Sequence, residues 1–323
     1  MVAQRGRVLI LPHNDPDPDA IASAVAMHYI FQQTTHIEGQ IGYQGIVGRA
    51  ENRALVRYLN YPLRPLGATV PEDMPIVLVD TQPGAGNNPW QPALPLIGVI
   101  DHHPRQKQNL SVPFVDLRPE LGATATIMVE YFMSLGLDIP AFLATALFYG
   151  IKTDTRGLSR GVSPDDATAY FYLQPRLNVD ALAEIERAQV PATYFKIFVD
   201  ALETTKLYNS VAITHVGEMM YPDMTAEVAD LLVRLQNVEW VICTGIYQNK
   251  LMLAVRAPSG AGDAGKLVQL IVQADGTAGG HDTMAGGQIT IKGASPAEIV
   301  ARLQQRVWQA FNINPQAVAE SLI

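Results

Sequence analysis

The stretch Val8-Leu9-Ile10-Leu11-Pro12-His13-Asn14-Asp15-Pro16-Asp17-Pro18-Asp19-Ala20 decides how the chain is read. Its apolar half, from Val8 to Leu11, has the composition of a buried strand. The residues after it, 20–27, are small and mostly apolar and read as a helix. One imidazole and three carboxylates therefore lie on a strand-to-helix turn, stiffened by Pro16 and Pro18, whose φ angles are fixed. Carboxylates held this close repel one another, and a bound cation removes that cost. The plainer reading is a polar turn in which Asp19 caps the helix. The rest of the chain shifts the balance toward the cation.

The same strand-then-helix pattern recurs downstream. Residues 7–13, 37–43, 75–80 and 96–101 read as strands, and 19–33 and 49–59 as helices. Short apolar strands alternating with helices indicate a parallel sheet covered on both faces. After Gly122 the pattern turns helical, with helices at 123–135 and 140–150, one beginning at Ser163-Pro164, and others at 178–189 and 192–206. From Ser210 a second character begins. Strands at 211–216, 240–247, 250–256 and 288–292 are interleaved with helices at 225–235, 264–274 and 296–311 and a glycine-rich loop at 276–287. The expected fold class is α/β. A parallel-sheet domain occupies 1–190, a helical linker 191–208 and a smaller α/β domain 209–323, with the active site in the cleft between the domains.

Composition narrows the function. A chain of 323 residues, 48% of them apolar, suits two domains with sizeable cores. The net charge of −8 and the lack of any Lys/Arg run disfavour a protein that grips long nucleic acid by its phosphates. Small phosphorylated substrates, held by local positive groups and metals, fit better. The lone Cys243 excludes an internal disulfide and a cysteine zinc cluster. No apolar run of membrane-spanning length and no signal-peptide core are present, so the expected setting is soluble and cytoplasmic.

Three strands end in histidine or acid: His13 after the first, Asp80 after the third, and Asp101-His102-His103 after the fourth. In open parallel sheets, sites form at the carboxyl ends of the strands, so these side chains can converge. Asp154, at a helix end, is a further candidate. His13, Asp17, Asp19, Asp80, His102 and Asp154 offer four carboxylates and two imidazoles, whose charge matches two divalent cations. Ligation by carboxylate and imidazole without thiolate suits manganese, with magnesium or cobalt as alternatives. Two such ions roughly 3.5–4 Å apart can clamp a phosphate and activate water for in-line attack. In the glycine-rich loop, backbone amides can approach an anion closely, and His281 and Arg256 can add charge-assisted hydrogen bonds. Thr124 and Thr126 begin a helix near the proposed site, where capping is the expected role. Lys266, Lys292 and Arg302 are expected to be solvated.

The run His13-x-x-Pro16-Asp17-x-Asp19-Ala20, then Val79-Asp80, Asp101-His102-His103 and Asp154, resembles the DHH phosphoesterase superfamily. The segment Ala278-Gly279-Gly280-His281 resembles the Gly-Gly-Gly-His loop of the DHH-associated domain, with Ala278 where the family's first glycine is usual. The chain looks closest to the oligoribonuclease and 3′-phosphoadenosine 5′-phosphate phosphatase branch, the nanoRNase type. The resemblance implies that His13 and Asp17 bind one metal and Asp19, His102 and Asp154 another, with Asp80 bridging. It implies that Asp101 orients the neighbouring histidine and that His103 contacts the scissile phosphate or assists the leaving group. Arg256, Gly279, Gly280 and His281 would hold the substrate's end. The implied activity is hydrolysis of short oligoribonucleotides, linear or cyclic dinucleotides, or 3′-phosphoadenosine 5′-phosphate. The rival readings are a soluble inorganic pyrophosphatase, whose Ser-Arg-Lys-Lys-type cluster is absent here, a non-catalytic nucleotide sensor, and a RecJ-type exonuclease. The expected partner is a small nucleotide or short RNA, with no long nucleic acid and no membrane; a homodimer is compatible with the sequence.

Overall fold

The computed structural model describes residues 6–67, 69–106, 111–293 and 295–323 and divides into two compact units between Gln189 and Val190. In the first unit, β1 (Arg7–Leu11), β2 (Glu38–Tyr43), β3 (Leu63–Pro65), β4 (Ile76–Val79), β5 (Leu96–Asp101) and β6 (Phe114–Leu117) form one parallel sheet. Its order is β3-β2-β1-β4-β5-β6. β1 thus has β2 on one side and β4 on the other. The chain reverses its direction of travel across the sheet there, the place where open parallel sheets form their sites, outside the carboxyl ends of the strands. The site residues His13 and Asp80 follow β1 and β4.

Alternate residues of each strand face opposite layers. Val8, Ile10, Val77, Val79 and Ile100 join a core with the helices α1 (Pro18–Thr34), α2 (Ala50–Leu59), α3 (Thr124–Leu135) and α4 (Ala141–Asp154). The helices α5 (Pro164–Leu173) and α6 (Val179–Glu186) add to the same layer. Leu9, Leu11, Ile76, Leu78 and Val99 face the other way, against Val70, Met74, Trp90 and Leu94. That second cover is irregular chain, which the sequence pattern did not distinguish from a helical one. The short strands β3 and β6 were not foreseen either, since three or four residues carry no readable period.

Two local features of α1 shape the site. Asp17, not Asp19, is the N-cap: its Oδ1 accepts the amide of Ala20 at 3.0 Å, and Pro18 opens the helix. The buried alanines at 20, 22, 24 and 26 let other helices approach closely. At Gly150 of α4, a Cβ would stand 3.0 Å from the Cα of Asp19, so a larger residue there would push the helices apart.

The second unit begins at Val190, so the expected linker over 191–208 is not a separate segment. Its helix, α7 (Ala192–Thr204), packs on β8 (Val211–Glu218), where Thr214 donates to the carbonyl of Ala201 at 3.0 Å. The sheet runs β11 (Thr277–His281), β12 (Met284–Thr290), β10 (Lys250–Arg256), β9 (Trp240–Tyr247), β8, β7 (Lys206–Tyr208), β13 (Glu320–Ser321). Only β8 and β9 pair in parallel. The helices α9 (Ala264–Val272) and α10 (Pro296–Ala310) cover one core through Val268, Ile271, Leu303 and Val307. Helix α8 (Met224–Leu232) packs on β9 and β10.

The glycine-rich stretch 276–287 is a hairpin rather than a loop. Gly279 faces Gly286 and Gly280 faces Ala285 across the β11–β12 ladder. Missing side chains erased the alternation by which strands are recognised. The glycines are needed for closeness: Gly280 has φ +155°, and a Cβ there would stand 2.3 Å from the Cα of Ala285. Among the described residues, no helix is long and apolar enough to cross a membrane.

Candidate metal centre

The carboxyl ends of β1, β4 and β5 and the start of α1 bring the expected ligands together with the end of α4. The ligand atoms of His13, Asp17 and Asp80 lie within 4.8 Å of one another, and so do those of Asp19, His102 and Asp154. The ligand atoms of Asp80, His102 and His103 also lie within 4.8 Å of one another, so Asp80 stands between the His13 side and the His102 side. Its Oδ2 is 3.5 Å from Nε2 of His13, and its Oδ1 is 3.6 Å from Nε2 of His102. Asp17 Oδ1 lies 3.6 Å from Nε2 of His13, and Asp154 Oδ2 lies 3.5 Å from Nε2 of His102. These separations are too long for hydrogen bonds and leave room for a shared cation.

Several contacts aim these groups. Nδ1 of His13 faces the carbonyl of Asn14 at 2.8 Å, and Nδ1 of His102 faces that of Leu121 at 3.2 Å. A carbonyl oxygen only accepts, so each Nδ1 carries the proton, and both Nε2 atoms point at the carboxylates. Asp80 follows β4 with φ +59°, a conformation disfavoured for a non-glycine residue and characteristic of functional sites. The first turn of α3 receives Asp19: the amide of Thr124 donates to its Oδ2 and that of Ala125 to its Oδ1, both at 2.7 Å. The Thr124 hydroxyl donates to Oδ1 of Asp80, also at 2.7 Å. Asp154 ends α4, and its carbonyl accepts Nη2 of Arg160 at 2.6 Å.

The charge balance fits a divalent cation. Nε2 of His102 is buried without a hydrogen-bond partner and has carboxylate oxygens of Asp80 and Asp154 within 3.6 Å, an arrangement that suits a ligand nitrogen. Burial, and then the charge of His103, lower the His102 pKa to about 4, so its imidazole is neutral and able to ligate. Burial raises Asp80 and Asp154 well above the ordinary carboxylate range, and neighbouring aspartates add to it. Burial and the charge of Asp17 raise Asp19 to about 7, against the pull of two α3 amides. Burial opposes a charge on His13, but Asp17 and Asp80 outweigh it and hold it protonated to about 10. Without a cation, protons do the neutralising. A cation would displace them.

Asp101 and His103 form a neighbouring pair. Nδ1 of His103 and Oδ1 of Asp101 are 2.8 Å apart, and Asp101 also accepts the amide of His103 at 3.1 Å and Nε2 of Gln82 at 2.7 Å. Burial works against the charged form of His103, but Asp101 raises its pKa above the ordinary value.

Some contributors were not singled out from the sequence. Gln82 ties Asp101 to the 103–106 segment, donating to the carbonyls of His103 and Pro104 and accepting the amide of Gln106. Asp166 is buried, and accepts from Gly122, Ser163 and Thr126, fixing the chain that leads into α3. No local pattern marks Gln82. The Ser163-Pro164-Asp165-Asp166 cap motif explains only part of what Asp166 does.

The expected substrate-binding residues lie in the second unit. Arg256 is 7% exposed, and its Nε donates to Asp230 at 2.7 Å. Its Nη1 donates to the carbonyls of Val255 and Ala285. Such bonds make it part of the sheet's own structure. Gly279 and Gly280 lie on β11, the outermost strand, so one edge of that strand is unpaired within the sheet. The side chain of His281 lies outside the described residues. Lys266 pairs with Asp263 and Arg302 with Asp275, while Lys292 is exposed.

Known proteins share parts of this sequence and of this fold. The profile of the DHH family, N-terminal domain, matches residues 7–151. An uncharacterised protein of Methanocaldococcus jannaschii is 30% identical over 312 residues, which cover 95% of this chain and 63% of that protein. The cyclic-di-AMP phosphodiesterase GdpP of Bacillus subtilis is 25% identical over 338 residues, 96% of this chain and 49% of GdpP. A probable manganese-dependent inorganic pyrophosphatase of Lactobacillus helveticus is 28% identical over 183 residues, 53% of this chain and 55% of that protein. The chain thus spans roughly half to two thirds of the length of these three relatives. In structure it is similar to an exopolyphosphatase-related protein from Bacteroides fragilis, with a TM-score of 0.68 and 14% identity over 96% of this chain and 95% of the other. The stretch that matches the DHH family's N-terminal domain, residues 7–151, supplies all of the candidate metal centre except Asp154, which lies just beyond it.

Proposed function

We propose that the chain is a metal-dependent phosphoesterase that hydrolyses short oligoribonucleotides, linear or cyclic dinucleotides, or 3′-phosphoadenosine 5′-phosphate. The observation that carries this reading is the pair of ligand sets meeting at Asp80. His13, Asp17 and Asp80 would hold one divalent cation, and Asp19, His102, Asp154 and the other oxygen of Asp80 a second, manganese being the best match. Bound there, the ions would supply Lewis acidity to the scissile phosphate and make water acidic enough to attack at neutral pH.

The chain's own residues do the rest. Asp101 stays ionised, because the bonds from His103 and Gln82 outweigh the cost of its burial. It holds Nδ1 of His103, which leaves the opposite ring nitrogen for the substrate and keeps the imidazole able to hand a proton to the leaving oxygen. The amides of Gly279 and Gly280, on the outer strand of the second sheet, are proposed to engage a second phosphate or the terminal nucleotide, together with His281. Arg256 is proposed to act in this role by shaping the hairpin through its bond to the Ala285 carbonyl.

A nucleotide is favoured over pyrophosphate by extent of similarity. The likeness to the pyrophosphatase covers about half of this chain, whereas the likeness to the cyclic-dinucleotide phosphodiesterase covers nearly all of it. The test is a manganese-supplemented screen over pyrophosphate, 3′-phosphoadenosine 5′-phosphate, cyclic dinucleotides, and two-, three-, five- and twenty-mer RNAs. The reading expects the highest kcat/KM on the shortest nucleotides and a fall with length. Preference for pyrophosphate would support the rival enzyme. Equal cleavage of the twenty-mer would support an exonuclease, and ion binding without any turnover a sensor.

A further inference from the structure

The first turn of α3 contains a residue that touches two candidate metal ligands through two different groups. Thr124 is buried, donates its amide to Oδ2 of Asp19 and donates its hydroxyl to Oδ1 of Asp80. Asp19 belongs to one ligand set, and Asp80 stands between both. Resting on the metal-centre reading above, we propose that Thr124 is the positioning residue of that centre, setting the separation and rotation of the Asp19 and Asp80 carboxylates before any cation arrives.

The argument rests on what each bond leaves over. A carboxylate oxygen has two lone-pair sites. With the Thr124 hydroxyl on Oδ1 of Asp80, one site of that oxygen is used and one is left; Nε2 of His102 lies 3.6 Å and Nδ1 of His103 3.7 Å from the same oxygen. Oδ2 is left to the His13 side. Rotation of the Asp80 carboxyl about its own axis would break the hydroxyl bond, so the two oxygens stay assigned to different ligand sets. The amide bond fixes Asp19 from the same residue, so the distance between the two carboxylates is set by a single stiff, β-branched side chain and its own backbone.

The turn that carries Thr124 is itself anchored away from the site. Two residues on, the Thr126 hydroxyl donates to Asp166 at 2.6 Å, and Gly122 donates its amide to the same carboxylate at 2.8 Å. At Gly122 a Cβ would stand 2.6 Å from the Thr155 side chain and 2.8 Å from the Gly161 carbonyl, so this approach admits only glycine. Thr124 and Thr126 are therefore chemically alike but about half a helical turn apart, and they face different partners. One serves ligands; the other serves the scaffold. This supplies an internal control.

The experiment is a manganese titration of the full-length, metal-stripped protein, followed by calorimetry and by the electron paramagnetic resonance signal of free Mn2+, alongside thermal melting. Thr124→Val keeps the shape and the amide bond and removes only the hydroxyl. It should weaken manganese binding by about 10–100-fold, as loss of a ligand-orienting contact does, and Thr124→Ser should recover most of it. Thr126→Val should lower the melting temperature while binding manganese as the wild type does. Where Thr124→Val is too unstable to titrate, the pair Thr124→Ser and Thr124→Ala, which differ only by the hydroxyl, carries the same comparison. Wild-type affinity in Thr124→Val, or equal affinity in the Ser and Ala variants, overturns the role of Thr124 and leaves the metal reading standing. A wild-type protein that binds no manganese overturns both.

Discussion

In the second unit, the charged side chain that is buried among the described residues, Arg256, meets an aspartate at 2.7 Å and two backbone carbonyls. Its charge is answered by the protein. In the first unit, Asp166 is equally buried and equally well answered, by four donors. Asp19, Asp80 and Asp154 are different. They share one pocket, and burial drives all three toward their protonated forms. The contrast teaches that a buried charge does not by itself mark a function. The mark is a buried charge whose balancing partner is not in the chain, together with a ligand nitrogen that has none either.

The sharpest way to break this contrast is Asp80→Asn. It should take turnover to background, a loss well beyond the roughly 100-fold typical of outer contacts, and exceed the loss from Asp17→Asn in a direct kinetic comparison. In EDTA the same variant should melt no lower than the wild type, since an amide replaces a buried carboxyl group that burial already drives toward its neutral form. With manganese at about 100 times its Kd, the wild type should gain roughly 2.7 kcal/mol and the variant far less. A wild type that manganese does not stabilise would erase the difference between the units.

His103→Ala should lower kcat by about 10²–10⁴-fold, the range of a lost general acid, with manganese binding retained in calorimetry. Loss of manganese binding would move His103 into the ligand set. In the second unit, Gly280→Ala places a side chain where the backbone of Ala285 already stands. It should destabilise by about 1–3 kcal/mol on chemical denaturation and raise KM for dinucleotides while leaving manganese affinity unchanged.

The smallest effect expected is on pH dependence. Asp19 is raised in the folded state to about 7, from 3.8, and Asp80 and Asp154 are raised as well. These three carboxylates bind more protons in the folded than in the unfolded chain and outnumber His102, whose lowered pKa acts the opposite way between about 4 and 6.5, so the metal-free protein's stability should fall as pH rises from about 4 to 7. Manganese should flatten that slope, because it replaces the protons. Denaturant midpoints at several pH values, with and without the ion, check both halves.

Much of the candidate metal centre was legible in the sequence because its candidate ligands sit at the ends of strands and helices, in an order that a parallel sheet gathers at one edge. His13, Asp80 and His102 could be placed by that rule alone. Thr124 and Gln82 could not, because their partners lie 44 and 19 residues away and no local pattern marks a hydroxyl or amide that will meet a carboxylate. Helix capping at 163–166 was readable from side-chain chemistry, whereas the change of character read at Ser210 lies inside the second unit, which begins at Val190. The glycine-rich hairpin was misread for the opposite reason, since its ladder is made by backbone groups while its side chains say nothing. Arg256 illustrates a third limit: an arginine on a strand does not declare whether it faces a ligand or an internal aspartate.

The central claim is that two cations sit on either side of Asp80. Crystals grown with manganese and measured at its absorption edge test this directly. The anomalous map should show two peaks roughly 3.5–4 Å apart, one among His13, Asp17 and Asp80, the other among Asp19, His102, Asp154 and Asp80. A single peak, or two peaks that do not share Asp80, would contradict the account.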